Sequence, residues 1–265
     1  LLFKTYKMKL TKTSVSKDGL KMQCELQGSE DSFVNTIRRM ILEEVPTLAV
    51  EDVEIRENSS ALFDEMLALR LGLIPIKTDL SSYGLPESES DLTERSAKCT
   101  LQIELKASKK GTVYAKDAKS KDPNCTFVHA DMPVDKLIEK QKLDCTLWAV
   151  MGQGKEHIKW APGHLWYAQN SKLTVKNDVK LLEEFKDSFP TAIFDKSGKI
   201  SEKLILENDL VDAVDRICDD LVKVQYQEGS YTLKLESWGQ LDCKEIFVTA
   251  AQMLGEKAKQ MAALL

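Results

Sequence analysis

The sequence contains no CxxC pair. Its six cysteines, Cys24, Cys99, Cys125, Cys145, Cys218 and Cys243, are scattered singly. That pattern excludes a zinc knuckle or a disulfide framework and predicts reduced, mostly structural thiols. No stretch approaches the ~18 uncharged apolar residues of a membrane span. The opening LLFKTYKMKL is too short and too charged for a secretory signal, so a soluble, cytoplasmic chain is expected. A basic excess is missing too: 37 Lys and Arg stand against 42 Asp and Glu, a net charge of −5. A free-standing nucleic-acid binder needs a basic face to neutralise phosphates, and no such face is legible. Low-complexity runs are absent. What remains, 265 residues of which 43% are hydrophobic, has room for one large domain or roughly two to three small ones.

The chain is organised around Phe33–Pro46, FVNTIRRMILEEVP. Phe33, Ile37, Met40, Ile41 and Val45 recur at helical spacing and form one apolar stripe. Asp31 and Ser32 can cap the helix start by accepting orphan N–H groups, and Pro46 ends it. Asn35, Arg38, Arg39, Glu43 and Glu44 occupy the other faces, with the arginine pair beside the stripe. Such a helix can bury one face in its own sheet and still offer cations and an apolar edge to a partner.

Around it, Lys9–Val15 and Lys21–Leu26 read as a hairpin turning at Gly19. Leu48–Asn58 alternates as a half-buried strand. Asn58–Ser60 cap a second helix with Leu62, Met66, Leu69 and Leu73 on its stripe, closed by Gly72 and Pro75. Ser81–Ala97 reads as a polar loop. Strands follow at Leu101–Leu105, Thr112–Ala115 and Lys142–Met151, the last leading into GQGKEHIKWAPG (Gly152–Gly163). From Trp166 the rhythm changes: a strand at Leu173 and Val175, a helix at Asp178–Phe189, a hairpin at Phe194–Ile200, and a helix at Asn208–Leu221. Val222–Gln227 and Tyr231–Glu236 read as a hairpin around Glu228–Gly229. Asp242 and Glu245 suggest a capping box for a C-terminal helix striped by Ile246, Ala250, Met253, Leu254, Met261 and Leu264. Since two strands and a helix stand at each end, residues 1–47 and 222–265 read as one outer domain. The segments 48–165 and 166–221 are then inserted into it.

FVNTIRRMILEEVPTLAVEDVEI and NSSALFDEMLALRLGLIPI, with VYAKDAKSKDP, GQGKEHIKWAPG and LESWGQLDCKEIF in that order, closely resemble the α-like assembly subunits of cellular RNA polymerases. The family comprises the D-type α-like subunit of archaea, the third subunit of eukaryotic polymerases and the bacterial α amino-terminal domain. The resemblance covers all but roughly residues 166–221. It implies an α+β fold: an α-like dimerisation domain of antiparallel sheet plus two helices, a β-rich middle insert, and a small ferredoxin-like α/β domain. The implied role is non-catalytic. Such a protein pairs with a smaller α-like subunit (L), is joined by two small subunits (N and P), and nucleates assembly of the two large catalytic subunits in transcription.

Carried over by motif, Phe33–Pro46 and the C-terminal helix are the dimer helices, exposed in the monomer and covered by the partner. Asn35, Arg38, Arg39, Lys155, His157, Lys159 and Trp160 are implied contacts to other polymerase subunits. Self-pairing, as in bacterial α, stays open beside heterodimerisation. Two metal sites of relatives are not expected. Ser81–Thr100 carries only Cys99, and zinc needs about four ligands. Counting back from Cys218 by the spacing of a cluster-binding run gives Val214, Val211 and Asn208, so an iron–sulfur cluster lacks its thiolates.

Rival readings attach to the same residues. An iron–sulfur redox sensor would need those missing ligands. His157 and His164 with Cys145 could form a nucleophile pair or metal site, but nothing fixes a third ligand or an orienting acid. Gly152–Gly154 resembles half of a phosphate loop without the helix cap, so it is a turn. Glu87, Glu89, Asp91 and Glu94 read as a solvated acidic run. The C-terminal stripe either curves over the chain's own core or forms half of a two-chain core, which the resemblance favours.

Overall fold

The computed structural model describes residues 8–264; the expectation drawn from the opening seven residues lies outside them. The elements in chain order begin with β1 (Lys9–Val15), β2 (Lys21–Gln27) and α1 (Asp31–Arg39), which runs straight into a five-residue π turn, Met40–Glu44. There follow β3 (Thr47–Asn58), α2 (Asp64–Gly72), α3 (Glu89–Thr93), β4 (Thr100–Ala107), β5 (Gly111–Tyr114), β6 (Ala118–Ser120), β7 (Pro133–Leu137) and β8 (Leu143–Gly152). The chain ends with β9 (Gly163–Val175), α4 (Val179–Phe185), α5 (Glu202–Glu207), α6 (Val211–Val214), β10 (Val222–Ser237) and α7 (Cys243–Ala263). This is an α+β fold with antiparallel sheets, as the sequence predicts. Among the described residues no helix is long and apolar enough to cross a membrane.

One four-stranded sheet has the order β1-β2-β10-β9 and a second the order β3-β8-β4-β6, with β5 and β7 as a separate ribbon. In the second sheet β8 lies centrally, pairing from Thr47↔Gly152 to Asn58↔Leu143 on one side and from Thr100↔Val150 to Ala107↔Leu143 on the other. Its inward residues Ile103, Leu105, Cys145 and Leu147 meet Leu67 and Leu71 of α2 in one core.

The chain forms two compact units. Among the described residues, one gathers 8–11, Glu25–Glu30 and Tyr167–Thr232; the other gathers Lys12–Cys24, Asp31–Trp166 and 233–264. The expected boundaries at residues 47 and 221 are not those of the units. A physical reason is visible at the first: the Gly152–Gly163 loop is bonded into the π turn, so no seam separates the organising helix from the middle insert.

Several expected elements change character. Val222–Glu236 is not a hairpin but part of one 16-residue strand, because its neighbour in the sheet is the long β9. Gly229, at φ +71°, kinks this strand without turning it, as glycine can inside a strand. The expected helix Asn208–Leu221 is cut to α6, with α5 ahead of it, by left-handed residues at Asp209 (φ 53°) and Arg216 (φ 62°); a left-handed residue cannot propagate a right-handed helix. Between β9 and β10 the chain builds short helices and an isolated Phe194↔Ile200 bridge, not strands of its own. These helices enclose a core of Leu173, Phe189, Ile193, Ile205, Val214 and Leu221. Asp31 and Ser32 lie inside the first turn of α1 rather than at its cap. Asp242 stands at the N-cap of α7 but accepts no cap hydrogen bond through its side chain. The expected loop Ser81–Ala97 includes α3, whose capping box is Ser88 with Asp91.

Candidate functional site

The two helices of the expected dimer face pack on each other: α7 lies against the π turn and α1. Ile37, Met40, Ile41 and Val45 are all buried within the chain, as is Val34. The stripe is therefore this chain's own core, not a surface waiting for cover. The π turn produces part of this. Val45 N–H reaches back five residues to Met40 C=O (3.3 Å), and this wider turn returns Val45 to the buried side. Phe33 and Asn35 are half-buried. Arg38 donates through Nε and Nη2 to Asn35 Oδ1 (3.1 and 3.0 Å), and Arg39 forks onto both carboxylate oxygens of Glu43 (3.0 Å each). The Arg39 hydrogen bond holds the Glu43 carboxyl below its ordinary range. Both arginines sit at the surface flank with donors to spare, since each guanidinium carries five.

The C-terminal helix divides along its length. Cys243, Ile246 and Ala250 are buried, Met253 and Leu254 are half-buried, and Met261 and Leu264 are 68% and 89% exposed. Cys243, Ile246, Ala250 and Leu254 recur every three to four residues, and Met261 and Leu264 resume the same face seven residues after Leu254, past Lys257. That face starts in the core and runs out beyond it. Its outer end is an apolar surface that the chain leaves open.

The GKEHIKW loop resolves differently from the expectation. Trp160 is buried, its Nε1 donating to Val150 C=O (3.0 Å), while its own C=O accepts from Thr47 Oγ1 (2.7 Å). Lys159 turns inward, donating to Val50 C=O (3.0 Å), pairing with Glu51 and lying 4.4 Å from the Trp160 ring centroid. Gln153 Nε2 donates to Glu44 C=O (2.7 Å) and Lys155 N–H to Glu43 C=O (3.0 Å). Gly154 is required here: a Cβ would stand 1.9 Å from Leu42 O. Of the predicted contacts in this loop, the Lys155 and His157 side chains face outward, whereas Trp160 and Lys159 are spent on internal packing.

His157 Nδ1 accepts from Lys159 N–H (3.1 Å), while His164 stacks on Trp166 at 5.7 Å. Burial pushes the Cys145 thiol up to about 12, and those of Cys125 and Cys243 to about 11, the opposite of an activated nucleophile.

Residues 53–163 match the family model described as the RNA polymerase Rpb3/RpoA insert domain. DNA-directed RNA polymerase subunit Rpo3 of Methanosarcina acetivorans is 33% identical over 246 residues, 91% of this chain and 92% of that protein. The Rpo3 subunit of Methanosphaera stadtmanae is 35% identical over 256 residues, 91% and 93% of the two chains. That of Thermococcus kodakarensis is 32% identical over 241 residues, 88% and 89%. The chain belongs to the Rpo3 family of DNA-directed RNA polymerase subunits.

In this Rpo3-family chain the structure also displays a surface that sequence reasoning missed. The stripe read for α2 ran Leu62, Met66, Leu69 and Leu73. Leu62 lies half-buried ahead of the helix. Met66, Leu69 and Leu73 are at least half exposed, as is Phe63 at the helix start, and Leu67 and Leu71 are buried instead. The helix is apolar on two faces, so periodicity could not say which one meets the sheet. Four large apolar side chains in one exposed ridge are unusual on a free surface and mark interaction sites. Among the described residues no three His, Cys, Asp or Glu side chains gather as metal ligands. At the cluster spacing, Val214 is fully buried, Val211 and Cys218 pack against the same hydrocarbon core, and the Asn208 amide donates to Leu204 C=O (2.9 Å). These residues do not fit an iron–sulfur cluster.

Proposed function

We propose that this chain is the non-catalytic assembly subunit of an archaeal-type DNA-directed RNA polymerase, working in the cytoplasm. It pairs with the smaller α-like subunit (L), is joined by the two small subunits (N and P), and nucleates assembly of the large catalytic subunits. It needs neither zinc nor an iron–sulfur cluster of its own. The observation that carries this reading is the open end of α7, where a face begun in the core continues through Leu254 to Met261 and Leu264. A related chain with a similar helix covers such a face, and obligate pairings of this kind commonly remove ~2,000 Å² or more from water. Light scattering of the chain mixed with the smaller α-like subunit should give the mass of a one-to-one complex. A mixture that still scatters as two separate monomers overturns the reading.

The α2 ridge supports a second contact in the same assembly, distinct from the pairing helices. Phe63→Glu with Leu69→Glu should leave the chain folded and still paired, because both side chains point away from the core. Reconstitution with the large subunits should then stall at the heterodimer. Full-size polymerase at wild-type yield would show that the ridge is not a docking surface.

A further inference from the structure

We infer that Glu44, at the last position of the π turn, is the positioning residue of the pairing surface. Its carboxylate tethers the overhanging end of α7 through Lys257, and the inference rests on the pairing proposed above. Glu44 Oε1 accepts from Lys257 Nζ at 2.6 Å, while Oε2 lies 3.8 Å from Lys155 Nζ and 3.4 Å from Gln153 Nε2. The Glu44 side chain is only 15% exposed, whereas both lysines are about half exposed. The carboxylate is thus the fixed member and the lysines the mobile ones.

The location gives this cluster its consequence. Beyond Ala250 no described residue of α7 is fully buried, so packing holds the first two turns and loses its grip on the rest. Among the described residues, Lys257 is where a side chain ties this overhanging part of α7 back to the body of the chain. About six residues follow, roughly 9 Å at the helical rise, and they carry Met261 and Leu264. An untethered end would have to be ordered on association, a cost subtracted from affinity. A tethered end meets its partner already aligned. Glu44 can play this part because the five-residue turn and the Gln153 bond to its C=O fix its backbone (2.7 Å).

The test uses the full chain and the smaller α-like subunit, comparing wild type, Glu44→Lys, Lys257→Glu and the double exchange. Each single variant juxtaposes like charges and should weaken pairing about tenfold, the scale of one charged hydrogen bond. The melting temperature of the free Lys257→Glu chain should stay unchanged, since Lys257 is half exposed, while amide exchange across residues 255–263 accelerates in both single variants. The double exchange re-forms the 44–257 pair while leaving Lys155 beside a like charge, so it should recover part of both affinity and protection relative to either single variant. Singles that pair like wild type, or a double as weak as either single, overturn the inference. Should Glu44→Lys fail to fold, Glu44→Gln keeps the shape without the charge, and the same loss of affinity and protection is expected. Failure of the wild-type chain to pair refutes the pairing itself, whereas exchange in the free variants still reads the tether.

Discussion

Exchanging Ile37 and Ile41 for aspartate should unfold the helix-bearing unit, not merely release a partner from an intact chain. Ile41 is wholly buried and Ile37 nearly so, in the seam where α1 and the π turn meet α7. Each exchange removes a side chain whose burial contributes about 1.5–3 kcal/mol. It also places a carboxylate where desolvation costs several kcal/mol more unless it protonates. A loss of roughly 5 kcal/mol or more per site is comparable with the whole stability of a typical domain. Circular dichroism and urea titration of the free chain check this. A double variant with a native-like transition would mean that the stripe is not core.

The complementary result is expected at the other end of the same helix pair. Leu254→Glu with Met261→Glu should leave the free chain's melting temperature within a few degrees of wild type, because neither side chain is fully buried. It should abolish co-purification with the smaller α-like subunit. Two charges set into the centre of an apolar contact cost several kcal/mol together once water is excluded. That loss is at least a hundredfold in affinity. Size-exclusion chromatography of the co-expressed pair measures it directly. Wild-type recovery of the complex would remove α7 from the interface. The two variants separate by position alone: one face of one helix pair is core near its start and open surface near its end.

That division explains which residues could be read in advance. The stripe Phe33–Val45 is legible as apolar and helical because a 3.6-residue period survives almost the whole segment. Whether an apolar stripe is buried by its own chain or by another depends on what folds back upon it. Here that is α7, some two hundred residues later. The same ambiguity misassigned α2. Its residues Leu67 and Leu71 are as apolar as Met66, Leu69 and Leu73, and only the sheet beneath decided which set is covered. Trp160 and Lys159 read as a contact loop because an aromatic beside a lysine marks many interfaces. The structure spends them on Val150, Val50 and Glu51 of the adjoining strands.

By itself the sequence determined the strand hairpin at Gly19, the organising helix, the alternating strands of the middle sheet, the scattered thiols and, through its ordered motifs, the family. Each of these rests on local spacing or on residue identity, which the chain carries wherever it folds. Tertiary structure alone decided that β10 runs through Gly229 instead of turning there, that the organising stripe is internal, and that α7 outruns its own core. Those outcomes depend on neighbours far away in sequence, whose packing settles what a short period leaves degenerate.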